Sequence, residues 1–152
     1  MKNIFLPFIL GLFLLSSCAS ETTVSPEIKV ISCSVNDTIV AETPKVKVGD
    51  VVELSLNLIG NGSDLFSFHA KSNDEEVKIS LAEYDQKKVS EEINFTDAEA
   101  CRLTFIDGVS TSNVKVKATV QAVKEDVMTL KFYLSAKTEC EGSELDVDLE
   151  KK

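Results

Sequence analysis

The stretch Val114–Ala122 constrains the fold more than any other part of the sequence. Val114, Val116, Ala118, Val120 and Ala122 alternate without a break with Lys115, Lys117, Thr119 and Gln121. Successive side chains of a β-strand point to opposite faces, so this period of two predicts one apolar row against a core and one polar row in water. A helix would scatter the same apolar residues around its axis.

The period recurs. Met128, Leu130, Phe132, Leu134 and Ala136 alternate with Thr129, Lys131, Tyr133 and Ser135; Val52, Leu54, Leu56 and Leu58 alternate with Glu53, Ser55 and Asn57; Phe66, Phe68 and Ala70 alternate with Ser67, His69 and Lys71. Shorter candidates are Ile28–Val35, Val46–Val48, Val77–Leu81, Cys101–Ile106 and Leu145–Leu149. Between them stand Val48-Gly49-Asp50, Gly60-Asn61-Gly62-Ser63, Ser72-Asn73-Asp74 and Asp107-Gly108, whose residues tolerate positive φ and suit turns. Only the charged stretch Tyr84–Ala100 leaves room for a helical turn. About seven to nine short strands at this spacing suit two packed antiparallel sheets.

The first residues carry a different signal. A single charge at Lys2 is followed by an apolar run from Ile4 to Leu15 and then by Leu15-Ser16-Ser17-Cys18. The run holds about a dozen apolar residues, short of the roughly 20 that a spanning helix needs, and reads as a secretory leader. The tetrapeptide resembles the lipobox of bacterial lipoproteins, which implies cleavage after residue 17 and a diacylglyceryl group on the Cys18 thiol. The expected organisation is a signal peptide over 1–17, a lipidated tether over 18–27 and a single β-sandwich domain over 28–152. Ala19 follows the cysteine where Asp would imply retention at the inner membrane, so the expected location is the outer membrane, with either side open.

Charge narrows the partners. The chain holds 16 basic and 25 acidic side chains, net −9, and loss of the leader removes Lys2 but no acid. Nucleic-acid binding needs a basic surface to neutralise phosphates and is disfavoured. With Cys18 acylated, three thiols remain in a compartment that permits disulfides. Strand parity turns Cys101 and Cys140 inward, and a Cys101–Cys140 disulfide is the favoured pairing. Buried free thiols, or a bridge to Cys33, are the alternatives.

Catalytic chemistry finds little support. His69 is the one histidine and alternates onto a polar face, and there is no Gly-x-Ser-x-Gly, His-Glu-x-x-His or phosphate-cradling loop. Neither a catalytic residue, a metal site nor a cofactor is expected. Calcium at Asp74 and Glu75 lacks the spacing of a known loop. Glu144, Asp146, Asp148 and Glu150 alternate with Leu145, Val147 and Leu149, as a wet strand face would. Sugar-binding sandwiches stack aromatic rings on pyranose faces, and Tyr84 and Tyr133 are the aromatic residues that parity leaves free for this.

The lipobox, the Ser/Thr-rich tether, Val48-Gly49-Asp50-Val51-Val52-Glu53-Leu54, Phe105-Ile106-Asp107-Gly108 and Phe132-Tyr133-Leu134-Ser135-Ala136 together resemble small Bacteroides-type lipoproteins of unknown function. That resemblance implies an all-β, immunoglobulin-like antiparallel β-sandwich and a cell-envelope compartment, and no activity. Asp37-Thr38-Ile39 resembles the acceptor such bacteria use for O-glycosylation, which would place a glycan on Thr38. The leading expectation is a non-enzymatic binding module, anchored in the membrane through Cys18, with a protein or glycan partner. The alternatives are an assembly subunit that pairs by its edge strands, and an acidic inhibitor of a cationic enzyme.

Overall fold

The structure is a computed structural model and describes residues 24–72, 74–92 and 95–152. The leader, Cys18 and the side chain of Asp74 lie outside the described residues. Ten strands are formed: β1 (Glu27–Val35), β2 (Thr38–Val40), β3 (Lys45–Val46), β4 (Val51–Ile59), β5 (Leu65–Ser72), β6 (Val77–Tyr84), β7 (Arg102–Thr104), β8 (Thr111–Val120), β9 (Val127–Ala136) and β10 (Ser143–Lys151). They pair as one sheet in the order β2-β1-β4-β8-β6, here sheet A, and a second in the order β3-β10-β9-β5-β7, sheet B. All pairings are antiparallel except β3 with β10. The result is an immunoglobulin-like sandwich. Among the described residues no helix is long and apolar enough to cross a membrane.

Alternation places the core. On β4 and β8, Leu54 lies opposite Val116 and Leu56 opposite Val114, and all four are buried. On β9 and β5, Leu134 lies opposite Phe68 and Phe132 opposite Ala70. The Phe68 and Phe132 rings stack with centroids 6.2 Å apart at 13°. Together the inner faces of both sheets form one apolar cluster. The loop between β1 and β2 is the two-residue hairpin Asn36-Asp37, with φ of 48° and 65°, a conformation that favours Asn and Asp.

Three strands break the period of two. Val30 pairs with Leu56 but Ser32 with Ser55, Leu65 with Ala136 but Ser67 with Ser135, and Leu81 with Val116 but Glu83 with Lys115. Ile31, Phe66 and Ala82 are therefore extra residues in β-bulges, and parity inverts beyond each. Two sequence expectations are corrected here. Phe66 is not on the apolar face; it is 50 % exposed while Leu65 and Phe68 on either side are buried. Tyr84 is not free; past the bulge at Ala82 it lies opposite Val114 and packs against the core.

The Cys101–Cys140 disulfide is corrected as well. Cys33, Cys101 and Cys140 are all free thiols. Cys101 lies opposite Ala70, whose amide donates to its carbonyl, whereas the chain leading to Cys140 is fixed to the other end of β5 by Lys137 N–H donating to Asp64. Thr138 hydroxyl contacts to Ser63 and to Cys140 hold the thiol at that end. Six positions of strand separate the two, roughly 20 Å at 3.3 Å per residue, against the roughly 7 Å that a disulfide tolerates between Cα atoms. Cys101 is buried as parity expects, but β9 ends at Ala136 and Cys140 lies half-buried in the loop beyond it, where strand parity no longer applies.

The sheet edges differ in length: β6, at one end of sheet A, is eight residues long, with Leu81 N–H donating to Ala98. β2 and β3, which end the two sheets on one side, contain three and two residues. At the other side, Ser90 donates to Thr104 and Ile106 to Lys88, so residues 88–90 cover the outer edge of β7. The short helical turn expected between Tyr84 and Ala100 is a single 3₁₀ turn at Gln86–Lys88, capped by the Asp85 side chain accepting from Lys87 N–H.

Candidate functional site

The outer face of sheet B gathers chemistry that the rest of the surface lacks. Register puts Arg102 of β7, His69 of β5, Tyr133 of β9 and Glu144 of β10 in one row across four strands. The next row is Lys71, Lys131 and Asp146, with Lys131 Nζ 3.4 Å from the Asp146 carboxylate. The His69 and Tyr133 rings have centroids 6.5 Å apart, tilted by 43°, and Lys71 Nζ stands 5.8 Å from the centre of the tyrosine ring. Both contacts come from β5, the strand beside Tyr133.

Towards the other end of β5 the Ser67 and Ser135 hydroxyls lie 2.7 Å apart. Beyond them is Phe66. Strands flank it on both sides, its own carbonyl accepting from Phe105 N–H, and the core side of β5 is filled by Leu65 and Phe68. An exposed side chain there has only the outer face to occupy. Leaving about half of a phenylalanine in water forgoes on the order of 1 kcal/mol of burial.

Two shallow concavities follow this line. One of about 520 Å³ is floored by Ser67, His69, Tyr133 and Ser135 and walled by Glu141–Glu144. The other, of about 500 Å³, lies around Phe66 beside Lys137, Thr138 and Glu139. The wall sits close because of Gly142: a Cβ there would come 2.9 Å from the Leu134 carbonyl oxygen, so any larger residue forces the β9–β10 loop away from the sheet.

The electrostatics of the floor are mixed. Burial, then the charges of Lys71 and Arg102, hold the His69 imidazole below its ordinary pKa, so it is neutral at pH 7. Glu141 and Glu144 face it from the wall, leaving a surface that presents both signs and several hydroxyls. Among the described residues no side-chain hydrogen bond joins the His69 imidazole to a hydroxyl or a thiol, while the Ser67 and Ser135 hydroxyls bond one another.

Sheet A offers a plainer outer face. A concavity of about 420 Å³ there includes Ile31, which the first bulge exposes, and the remaining surface of Tyr84; of its polar lining, Lys115 pairs with Glu83 at 3.1 Å and Asn113 accepts from Asn57 at 2.7 Å. The buried acids serve the fold. Asp50 accepts from Asn36 Nδ2 at 2.9 Å and from Lys47 N–H at 3.0 Å, and these hydrogen bonds hold its carboxyl below the usual range. Glu76 accepts from the amides of Lys124 and Glu125. No group of three or more potential metal ligands converges among the described residues.

The remaining sequence candidates are dispersed. Thr38 is exposed, directly after the Asn36-Asp37 turn. Burial raises the thiol pKa of Cys33, and burial together with Asp97 pushes Cys101 up to about 12, so both are thiols and not thiolates at neutral pH. Phe66 is the residue that sequence reasoning missed. Its signal was present: inward residues Leu65 and Phe68 are three apart where an unbroken strand requires two or four.

Residues 32–151 match a family model described as a domain of unknown function, DUF5035. The chain belongs to that family. The match runs from the middle of β1 to the last residue of β10, so the DUF5035 unit is the sandwich itself. No curated protein matches the sequence. Among solved structures, a FixG-related protein from Vibrio parahaemolyticus is similar at TM-score 0.49 and 10 % identity, covering 85 % of this chain and 98 % of that one. The reeler domain of human F-spondin follows at 0.48 and 11 %, covering 85 % and 93 %. A PapD-like domain of human CEP192 is similar at 0.43 and 13 %, covering 96 % of each chain. Likenesses at this level say nothing about ligand or activity.

Proposed function

We propose that this DUF5035 protein is a lipid-anchored component of the bacterial cell envelope that binds a partner, without catalysis, through the outer face of sheet B. The anchor rests on Leu15-Ser16-Ser17-Cys18 after the apolar leader, and Ala19 favours the outer membrane. Two acyl chains on a cysteine hold a domain to a bilayer with no apolar patch of its own.

The observation that carries the binding face is Phe66. A bulge turns it outward onto the face that already holds the Arg102–His69–Tyr133–Glu144 row. Bulges that re-aim a side chain recur next to functional sites. Assembly through edge strands is the second reading: the eight-residue β6 forms one edge of sheet A, whereas β2 and β3 offer only three and two residues and the β7 edge is already covered.

Photo-crosslinking in cells tests this. A photoreactive residue at Ser67 or Thr104 of sheet B should give discrete adducts, and one at Lys117 or Thr119 of sheet A should give none. Equal labelling from the two faces would sink the assignment. In the same cells Cys18→Ser should move the protein out of the membrane fraction, and unchanged sedimentation would refute the anchor.

A further inference from the structure

We propose that the outer face of sheet B is a glycan-binding groove in which Phe66 and Tyr133 are the stacking platforms for a neutral polysaccharide chain. This rests on the reading of that face as the binding surface and names what it takes. The two rings belong to adjacent strands. Ser67 lies opposite Ser135 and His69 opposite Tyr133, so Phe66 precedes the row of Tyr133 by three positions along β5. At about 3.3 Å per residue and about 4.8 Å between strands, their Cα atoms are roughly 11 Å apart. That separation suits alternate sugar rings of one chain, not adjacent ones.

Between the platforms the floor is polar and short-sided. Ser67 and Ser135 present hydroxyls that satisfy one another at 2.7 Å and are free to exchange that contact for a sugar hydroxyl. Along the wall stand Thr138, Glu141 and Glu144, the carboxylates acting as acceptors for sugar O–H groups. A flat apolar ring face next to a dense set of hydroxyl donors and acceptors is the chemistry of a pyranose.

Charge selects among sugars. Lys71 and Arg102 on one flank are balanced by Glu141 and Glu144 on the other, so the groove attracts neither a polyanion nor a polycation as a whole. A sulfated or uronic chain would meet the acidic wall and an aminated one the basic flank. The open, shallow shape admits a chain in passing, with ends extending past β5 in both directions.

Affinity electrophoresis of the purified protein through gels containing a β-glucan, a xylan, a galactomannan or an α-glucan tests the proposal. At least one neutral polysaccharide should retard migration, and Phe66→Ala and Tyr133→Ala should each weaken that retardation about tenfold, the equivalent of one lost stacking contact. Lys117→Ala on sheet A should leave it unchanged. A second readout is the NMR titration of His69, whose charged neighbours are Lys71 and Arg102 and, from the wall, Glu141 and Glu144. A neutral chain laid over the imidazole deepens its desolvation and lowers its pKa further, whereas an acidic chain raises it.

Retardation that survives both substitutions, or a His69 pKa that rises on binding, overturns the proposal. Absence of retardation by every polysaccharide overturns it too. If crosslinks from Ser67 persist in that last case, the face still binds and its ligand is a protein; if they vanish as well, both readings fall together.

Discussion

The two outer faces of the sandwich come from strands built alike, yet they differ in what they leave unsatisfied. Each sheet pairs part of its polar face, Lys115 with Glu83 and Asn57 with Asn113 on sheet A, Ser67 with Ser135, Thr129 with Asp148 and Lys131 with Asp146 on sheet B. Sheet B in addition exposes Phe66, a neutral imidazole and a tyrosine ring beside unbridged carboxylates. Both sheets contain bulges, so irregularity alone is not the distinction. The distinction is where the bulge falls: Ile31 emerges in the concavity that holds the Lys115–Glu83 pair, Phe66 at the end of a groove.

If that contrast is confined to the outside, the inside must treat the two sheets alike. Phe132→Ala in sheet B should cost about 3–5 kcal/mol and Leu54→Ala in sheet A about 2–5 kcal/mol in denaturant melts, since both side chains are fully buried in one shared cluster. A loss below about 1 kcal/mol on either side would show that the sheets do not share a core.

A smaller effect is expected at the corner where Asp50 ties the β1–β2 turn to β4. Asp50→Ala leaves Asn36 Nδ2 and the Lys47 amide without their acceptor and should cost about 1–3 kcal/mol. The sign with pH follows from the lowered carboxyl. Asp50 protonates more readily in the unfolded chain, so its stabilisation is fully present above about pH 4, the unfolded value, and is lost as pH falls through the lower folded one. Comparing acid unfolding of the wild type with that of Asp50→Ala isolates this contribution, and identical acid midpoints would refute it.

Least is expected from the outer faces themselves. Phe66→Ser should cost no more than about 1 kcal/mol, since half of its ring is already in water, and Lys115→Ala should stay within about 0.5 kcal/mol, since exposed ion pairs contribute little. Phe66→Ser alone should abolish partner crosslinking. A large loss of stability from Phe66→Ser would turn the residue into a packing element and erase the contrast between the faces.

Much of the architecture was legible because the core strands hold their period. β4, β8 and β9 alternate without interruption, and their apolar rows are the inner faces of the two sheets. What escaped was whatever depends on one extra residue. A bulge costs a single position, yet it inverts every side chain beyond it, as Tyr84 and Phe66 show, and the candidate site is built on one of these inversions. The cysteines failed for another reason. Parity says nothing about which end of a sheet a side chain reaches or where the strand stops, and Cys140 lies past the end of β9, at the opposite end from the buried Cys101. The strand β2 was missed because three residues carry no measurable period.

Strand β1 begins at Glu27, two residues after Ser25, whose carbonyl accepts from Asn61 Nδ2. A pull transmitted from upstream therefore runs along the axis of β1. Its ladder to β4 extends from Glu27–Ile59 to Val35–Val52, and those hydrogen bonds lie across the direction of the load. They resist as a set in shear, where a strand pulled sideways would yield one bond at a time. If the proposed anchor lies upstream, a domain loaded through its first strand in this way would stay folded under force.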